Sequence, residues 1–264
     1  MTAPAPGSTA TPAVGGQPGS GQHSLRLARV LAGFGIAGAL VAVIGVGTLH
    51  LLPQTADIDI VRRTISEYAL TELGWVFNLG VAGLAIGSLA ILASLVLAGR
   101  ARGGSLGIAL GLIWSAALLV VMVFPKHNWA VGPSTNGSIH RVASIVAFVC
   151  LPVAVLLLTR RPGGSRGRRP IPARLASWLA IGSLAWFGVL LGAWALTPIT
   201  GKPWWQAVPL GVVERGLVIS EVLAVIALGC WALCAPTSAM PRTSEARPSR
   251  HPQPASQAPT EQAR

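Results

Sequence analysis

Six long apolar runs constrain this chain more than any other feature of its sequence. A helix needs about 20 residues to cross a hydrocarbon core of about 30 Å, and each run has roughly that length. Because lipid offers no hydrogen-bonding partner to backbone N–H and C=O groups, such runs must be helices. The sequence therefore predicts an all-α polytopic membrane protein with six transmembrane helices in one bundle. The runs cover residues 30–49, 75–98, 106–124, 142–159, 175–196 and 212–233.

The two ends of the chain lack the large apolar residues needed to build a core. Residues 1–24 and 236–264 are rich in Pro, Ser, Gly, Ala and Thr, a composition typical of disordered segments. We therefore predict two disordered tails around one transmembrane domain of residues 25–235. The first apolar run starts too late and runs too long for a cleaved signal peptide, so we expect it to be an uncleaved span.

Basic residues indicate how the chain is oriented in its membrane. If the termini and the second and fourth loops share one side, that side holds most of the 20 lysines and arginines but only Glu245 and Glu261 among the acids. The positive-inside rule places this side in the cytoplasm. We predict a plasma-membrane protein with both termini cytoplasmic. Its net charge of +12 is then a topology signal, and we expect no nucleic-acid partner.

A few polar residues converge on the predicted outer edge of the membrane. Counting about 20 residues outward from the inner boundaries places Asn78, His140, Glu214 and Arg215 at one depth. Glu221 lies about five residues deeper, roughly 8 Å, and is the one acidic or basic residue well inside a span. A carboxylate at the centre of a span costs about 2.5–3.5 kcal/mol, so Glu221 must face protein or water.

The first outer loop contributes further polar residues. Its stretch TISEYALTE is compatible with a short amphipathic helix lying on the bundle. We refer to the candidate ligand-binding residues of this region as the outer-rim cluster. The cluster comprises Glu67, Tyr68, Asn78, His140, Glu214, Arg215 and Glu221.

Structural roles compete with functional ones for these side chains. Glu221 is either a hydrogen-bonded residue that ties helices together or a ligand or proton site. Glu214 and Arg215 suit an interfacial ion pair or a snorkelling pair. His140, at the start of a helix, suits either a capping role or that of a general base. The sequence leaves each of these alternatives open.

No signature of a metal, a cofactor or a catalytic centre is found in the sequence. It has no His-Glu-x-x-His or Cys-x-x-Cys pairing, no phosphate-cradling loop and no nucleophile elbow. Cys150, Cys230 and Cys234 fall inside apolar runs, where cysteine usually packs as a small apolar residue. We expect no metal and no cofactor, assign no catalytic residue, and favour a protein that is not an enzyme.

Three short segments resemble a known family. ISEYALTELGWVFNLG (65–80), NGSIHRVASIVAF (136–148) and GVVERGLVISEVL (211–223) are similar in kind and order to bacterial membrane proteins catalogued as domain of unknown function 998. The resemblance covers about residues 30–235 and implies a six-helix bundle with no assigned activity. It also implies that particular residues match the family's polar pattern. These are Ser66, Tyr68, Trp75, Asn78, His140, Glu214 and Arg215.

The sequence supports three hypotheses about function. The first is a plasma-membrane protein of unknown biochemical activity whose outer-rim cluster binds a lipid head group or a small polar ligand. The second is a proton- or ion-coupled transporter that uses Glu221. The third is an extracytoplasmic-face lipid-modifying enzyme with His140 as base and Glu214 or Glu221 as its partner. Membrane lipids are expected partners in each case, and the oligomeric state is left open.

Overall fold

The computed structural model describes residues 20–128, 131–160, 169–201 and 203–234, which contain helices and no strand. Six helices are long and apolar enough to cross a membrane, as the hydropathy pattern predicts. A short helix and two 3-10 turns complete the regular structure of the described residues. In chain order the elements are α1 (Ser20–Leu49), turns Pro53–Thr55 and Ile65–Leu70, α2 (Gly74–Leu97), α3 (Leu106–Val123), α4 (Thr135–Thr159), α5 (Ile171–Thr200), the short α6 (Trp204–Ala207) and α7 (Leu210–Leu233).

Some helices begin earlier than the apolar runs that predict them. The Ser134 side chain accepts a hydrogen bond from the Gly137 amide at 3.1 Å and caps the start of α4. Hydropathy marks the part of a helix that crosses lipid, whereas capping chemistry decides where the helix starts. At the start of α1, residues 20–24 are helical although they belong to the predicted N-terminal tail. The remainder of both predicted tails lies outside the described residues.

Helices α1 and α2 pack backbone against backbone. A Cβ atom added to Gly35 would collide with the carbonyl oxygen of Gly87, and one added to Gly38 with that of Gly83. Small residues at these four positions let the two helix axes approach closely, as is common between membrane helices. This contact uses the Gly83 and Gly87 spacing that is visible in the sequence.

The bundle has two chemically different ends. At one end, which we call the arginine end, Arg100 donates to the Cys234 carbonyl at 3.0 Å and lies 5.4 Å from the Trp231 ring centroid. The opposite end carries residues 50–73, 124–128 and 131–134. We call it the loop end. The polar residues predicted to share one depth belong to helix positions near this loop end.

Helix α7 is the most central element for the candidate site. It packs against α5, α1, α2 and α4, and 56% of its most apolar stretch is buried, compared with 17% for α5. The surrounding core contains the fully buried Trp114, Ile91, Leu95, Val155 and Val225. Polar side chains on α7 are therefore enclosed by neighbouring helices, and they need partners within the protein.

Candidate functional site

Arg215 on α7 holds the segment that links α1 to α2. Its side chain is buried, and its Nη1 donates to the carbonyl oxygens of Ile60 at 2.9 Å and Arg63 at 2.7 Å. The same nitrogen donates to the Gly211 carbonyl of its own helix at 3.0 Å. A guanidinium stays charged in proteins and carries five N–H donors in a planar fork. One arginine can therefore fix several loop carbonyls at once.

His50, directly after α1, orients the Arg215 side chain. The Nε of Arg215 donates to Nε2 of His50 at 2.8 Å, while Nδ1 of His50 lies 2.7 Å from the Val46 carbonyl. A carbonyl oxygen only accepts, so Nδ1 carries the proton and Nε2 is left as the acceptor for arginine. The buried Tyr68 ring packs against the imidazole with its centroid 5.1 Å away. Arg215 is thus held by a neutral histidine.

The backbone of the same segment caps the start of α7. The Val61 carbonyl accepts hydrogen bonds from the amides of Gly211 at 2.9 Å and Val212 at 3.3 Å. The first amides of a helix have no partner within the helix, so an external carbonyl is needed where water is excluded. A Cβ on Gly211 would collide with the carbonyl oxygens of Ile60 and Arg63. The close approach of loop and helix therefore requires glycine at position 211.

Two acidic side chains complete the attachment of the segment. Glu214 Oε2 accepts a hydrogen bond from the Ile65 amide at 2.7 Å. Glu67 Oε1 pairs with Lys126 Nζ at 3.0 Å, and this lysine also donates to Thr64 Oγ1 at 2.6 Å. Both members of the Glu67–Lys126 pair are mostly buried, so salt screens the attraction between their charges less than that of an exposed pair. Residues 60–67 are consequently bound to α7 and to the α3–α4 connection.

Histidines organise the connection between α3 and α4. The buried His140 places Nδ1 2.8 Å from the Phe124 carbonyl, to which it donates. His127 accepts at Nδ1 from the Ser134 amide at 2.8 Å. The His127 ring lies against Gly137, where a Cβ would collide with it. His140 therefore serves here as a hydrogen-bonding anchor of the connection.

Glu221 makes its contact deeper in the bundle. It is buried at 5% exposure near the middle of α7, and its Oε1 accepts from Ser183 Oγ of α5 at 3.2 Å. No salt bridge to Glu221 occurs within the described ranges. One turn from Ser183, the Trp186 indole occupies the space where a Cβ on Gly216 would lie. Glu221 and Gly216 thus belong to the α5–α7 contact.

The structure divides the outer-rim cluster among separate contacts. His140 bonds the α3–α4 connection and Glu221 bonds α5. Across the described residues, no hydrogen bond joins His140 to either Glu214 or Glu221, so the geometry does not assemble the base and partner that the enzyme hypothesis needs. The remaining contacts of the cluster surround the segment after α1. They involve Glu67, Tyr68, Glu214 and Arg215.

Two buried polar atoms at the loop end have no hydrogen-bond partner among the described residues. They are Asn78 Oδ1, an acceptor, and Arg215 Nη2, a charged donor. A buried polar atom without a partner costs about 1–3 kcal/mol unless water or a ligand satisfies it. Among all the described residues, no group of three or more His, Cys, Asp or Glu side chains is arranged to hold a metal ion. The indole nitrogens of Trp114 and Trp231 are buried without a described partner as well, but the two loop-end atoms include a charged donor, which is the costlier group to leave unpaired.

Sequence reasoning left His50 and Lys126 outside the cluster. Both follow closely on the ends of apolar helices, α1 and α3, so both lie at the depth shared by the predicted rim residues. That depth is the signal that identifies them in the sequence. Ser183 carries no such signal, because a serine inside a span commonly bonds to its own helix.

The comparisons with known proteins agree with this architecture. A family model described as "Protein of unknown function (DUF998)" matches residues 36–231, from α1 to α7. The match includes every residue of the outer-rim cluster. No curated protein and no solved structure matches the chain.

Replacing Arg215 with methionine should release residues 60–63 from the bundle. Each lost hydrogen bond to a charged group contributes about 1.5–3 kcal/mol, so local opening should increase by about tenfold or more. Trypsin cleavage after Arg62 and Arg63 in detergent, followed by mass spectrometry, measures this opening. Arg141→Met, at an exposed position on α4, should leave the cleavage rate unchanged. Equal rates in Arg215→Met and wild type would show that the segment is held by other contacts.

Ser183→Ala should destabilise the protein, because it removes the hydroxyl that donates a hydrogen bond to the buried Glu221 carboxyl group. The expected loss is about 1–3 kcal/mol, seen as a lower thermal midpoint in detergent. Ser220→Ala is the matched control, since this hydroxyl bonds the Gly216 carbonyl of its own helix at 2.7 Å. Glu221→Gln retains the acceptor oxygen and should change the midpoint little. A loss no larger for Ser183→Ala than for Ser220→Ala would contradict this account of the α5–α7 contact.

Proposed function

The chain belongs to the DUF998 family of proteins of unknown function, and on that premise we propose a function from the geometry of its own residues. It is a non-enzymatic plasma-membrane protein that binds a lipid head group or a small polar ligand at its outer rim. The observation that carries this proposal is the buried Nη2 of Arg215, a cationic donor that no described residue satisfies.

The bonds that Arg215 makes prepare its remaining donor for a ligand. Nε is fixed by His50 and Nη1 by three carbonyl oxygens, so the guanidinium is held in one orientation. A group that is already ordered loses little further freedom when it binds. Guanidinium groups favour the oxygens of phosphate and carboxylate. The ligand class we propose is therefore a compound with an anionic oxygen, as in a phospholipid head group.

Asn78 extends this proposal to a second contact. Its Oδ1 is an acceptor, so it suits a hydroxyl or amine hydrogen of the same ligand. A head group that carries both a phosphate and a donor group has the chemistry to bond both atoms. The supporting observation is that the loop end holds one unpaired donor and one unpaired acceptor, Arg215 Nη2 and Asn78 Oδ1.

The geometry favours ligand binding over transport and over catalysis. Helix α7 is continuous from Leu210 to Leu233, whereas transporters usually place their substrate site at broken helices. Glu221 has Ser183 as a partner in the neighbouring helix, which fits a structural role. The candidate base His140 bonds the Phe124 carbonyl, and no hydrogen bond among the described residues joins it to either glutamate. Binding at the outer rim requires none of these residues to change partners.

The proposal places the loop end on the extracytoplasmic side and both termini in the cytoplasm. Support comes from arginines of the opposite end, among them Arg26, Arg29, Arg100 and Arg102. In a Cys150→Ala, Cys230→Ala background, Asp57→Cys should react with a membrane-impermeant maleimide on intact cells. The native Cys234, exposed at the arginine end, is the internal control and should react only after permeabilisation. Labelling of Cys234 but not of residue 57 in intact cells would show that the orientation is opposite to the proposed one.

Asn78→Leu should separate ligand binding from folding. Removing the unpaired oxygen should raise the free energy of unfolding without ligand by up to about 1–3 kcal/mol. Thermal midpoints in detergent are measured with inorganic phosphate and with a short-chain phosphatidylglycerol. Wild type should be stabilised by the lipid if a head group is bound, or by phosphate alone if a small anion is bound. Asn78→Leu should respond less to either probe.

The matched control for this experiment is Asn136→Leu, at an exposed position in the first turn of α4. It should retain the wild-type response to both probes. The proposed function is refuted if neither probe moves the wild-type midpoint. It is also refuted if Asn78→Leu responds to the probes as wild type does.

A further inference from the structure

The hydrogen bond between Arg215 and His50 depends on the charge of the histidine. Arg215 Nε donates to His50 Nε2 at 2.8 Å, and a guanidinium is always charged in proteins. An imidazole nitrogen accepts a hydrogen bond only while it carries no proton. The contact therefore exists only with neutral His50. Histidine is the side chain that ordinarily gains a proton between about pH 8 and about pH 5.

A proton taken up by His50 has to go to the nitrogen that faces Arg215. Nδ1 of His50 already donates to the Val46 carbonyl at 2.7 Å, so Nε2 is the ring nitrogen left to accept a proton. Once protonated, Nε2 is a second donor opposite the Arg215 donor, and two positive charges lie side by side. His50 is only half-buried, so water can supply the proton.

The surroundings of His50 offer no negative charge to compensate for that proton. Its ring contacts Arg215 of α7 and Tyr68, whose ring centroid lies 5.1 Å away. Helices α2 and α3 contain no titratable side chain. Asp57 and Glu72 are exposed. The other acidic groups of the loop end bond elsewhere: Asp59 to the Val61 and Arg62 amides, Glu67 to Arg63 and Lys126, and Glu214 to the Ile65 amide.

Repulsion between the two cations should displace Arg215 and not His50. The imidazole is restrained by its bond to Val46 and by the Tyr68 ring. A guanidinium is planar, so Nη1 moves with Nε, and Nη1 is the atom that bonds the carbonyl oxygens of residues 60 and 63. The side chains of residues 60–63 are exposed, so backbone contacts with α7 hold this stretch in place.

We propose that His50 and Arg215 form an acid-sensitive latch: when His50 gains a proton, Arg215 is displaced and residues 60–63 are released from α7. The inference goes beyond the proposed function, because the latch opens without any ligand. It assigns to His50 a regulatory role in addition to its structural one.

Other titratable groups of the loop end respond to acid differently. A protonated Glu214 keeps a carboxyl oxygen that can accept from the Ile65 amide. His140 already donates through Nδ1, and a further proton leaves that bond in place. His127 accepts at Nδ1, so acid would break its bond as well. That bond lies within the α3–α4 connection, so its loss can be distinguished from opening of the latch.

Hydrogen–deuterium exchange of the full-length protein in detergent, read by mass spectrometry, tests the latch. Exchange is compared at about pH 7.5 and about pH 5, which span the usual titration of histidine, after correction for the intrinsic pH dependence of amide exchange. The amides of Gly211 and Val212 report release, because they bond the Val61 carbonyl. Their protection from exchange should fall about tenfold or more at the lower pH, since a hydrogen bond to a charged group is lost.

Two substitutions at position 50 test the charge of the side chain separately from its presence. His50→Gln has an amide oxygen that can accept from Arg215 and that takes up no proton, so protection should be equal at both pH values. His50→Lys is positively charged at both pH values, so protection should be low at both. Thermal midpoints measured at the higher pH check that each variant folds.

Matched variants identify the group that titrates. His127→Gln and Glu214→Gln should keep the wild-type loss of protection at Gly211 and Val212. Asn78→Leu should keep it too, so failure of the proposed ligand binding and failure of the latch are distinguishable.

Equal protection of wild type at both pH values would overturn the proposal without reference to any variant. A wild-type loss that persists in His50→Gln would also overturn it. So would a loss that disappears in His127→Gln or Glu214→Gln, because another group would then be the one that responds to acid.

Discussion

Lipid gives polar groups no hydrogen-bonding partner, and this constraint explains both the helices and the contacts between them. The backbone N–H and C=O groups bond to one another within six helices that are long and apolar enough to cross a membrane. Polar side chains have to find partners on neighbouring elements. Arg215 and Glu221, buried on the same helix, show two outcomes: one bonds loop carbonyls and a histidine, the other bonds a serine of α5.

The start of α7 concentrates several of these contacts within little more than one turn. Gly211 admits the loop, Glu214 accepts from its backbone, and Arg215 donates to its carbonyls. Residues three and four apart share a helix face, so this spacing directs all three toward the same segment. Glu214 and Arg215 bond backbone groups of this segment, the Ile65 amide and the Ile60 and Arg63 carbonyls, that lie outside any long helix. The Nη2 of Arg215 is the donor that this arrangement leaves without a partner among the described residues, and the proposed ligand binding rests on it.

A large part of the architecture could be predicted from the sequence. The six spans, the all-helical fold and the resemblance to a family of unknown function are confirmed by the helices and by the family match over residues 36–231. The candidate site was predictable by depth only. Counting residues along a helix places His140 and Glu214 at one level, but it does not say which way either side chain points. Consequently His50 and Lys126 were missed, and Glu221 was grouped with residues that it does not contact.

The sequence by itself determined which segments cross the membrane, because the transfer of an apolar run into lipid depends on that run's own composition and length. The resemblance to its family likewise rests on short local patterns. Only the tertiary structure decided the partners: Arg215 with His50 and the carbonyls of residues 60–63, and Glu221 with Ser183. Those pairings join residues far apart in the chain, and they follow from how the helices are rotated and arranged against one another. The composition and length of a single segment do not determine that arrangement.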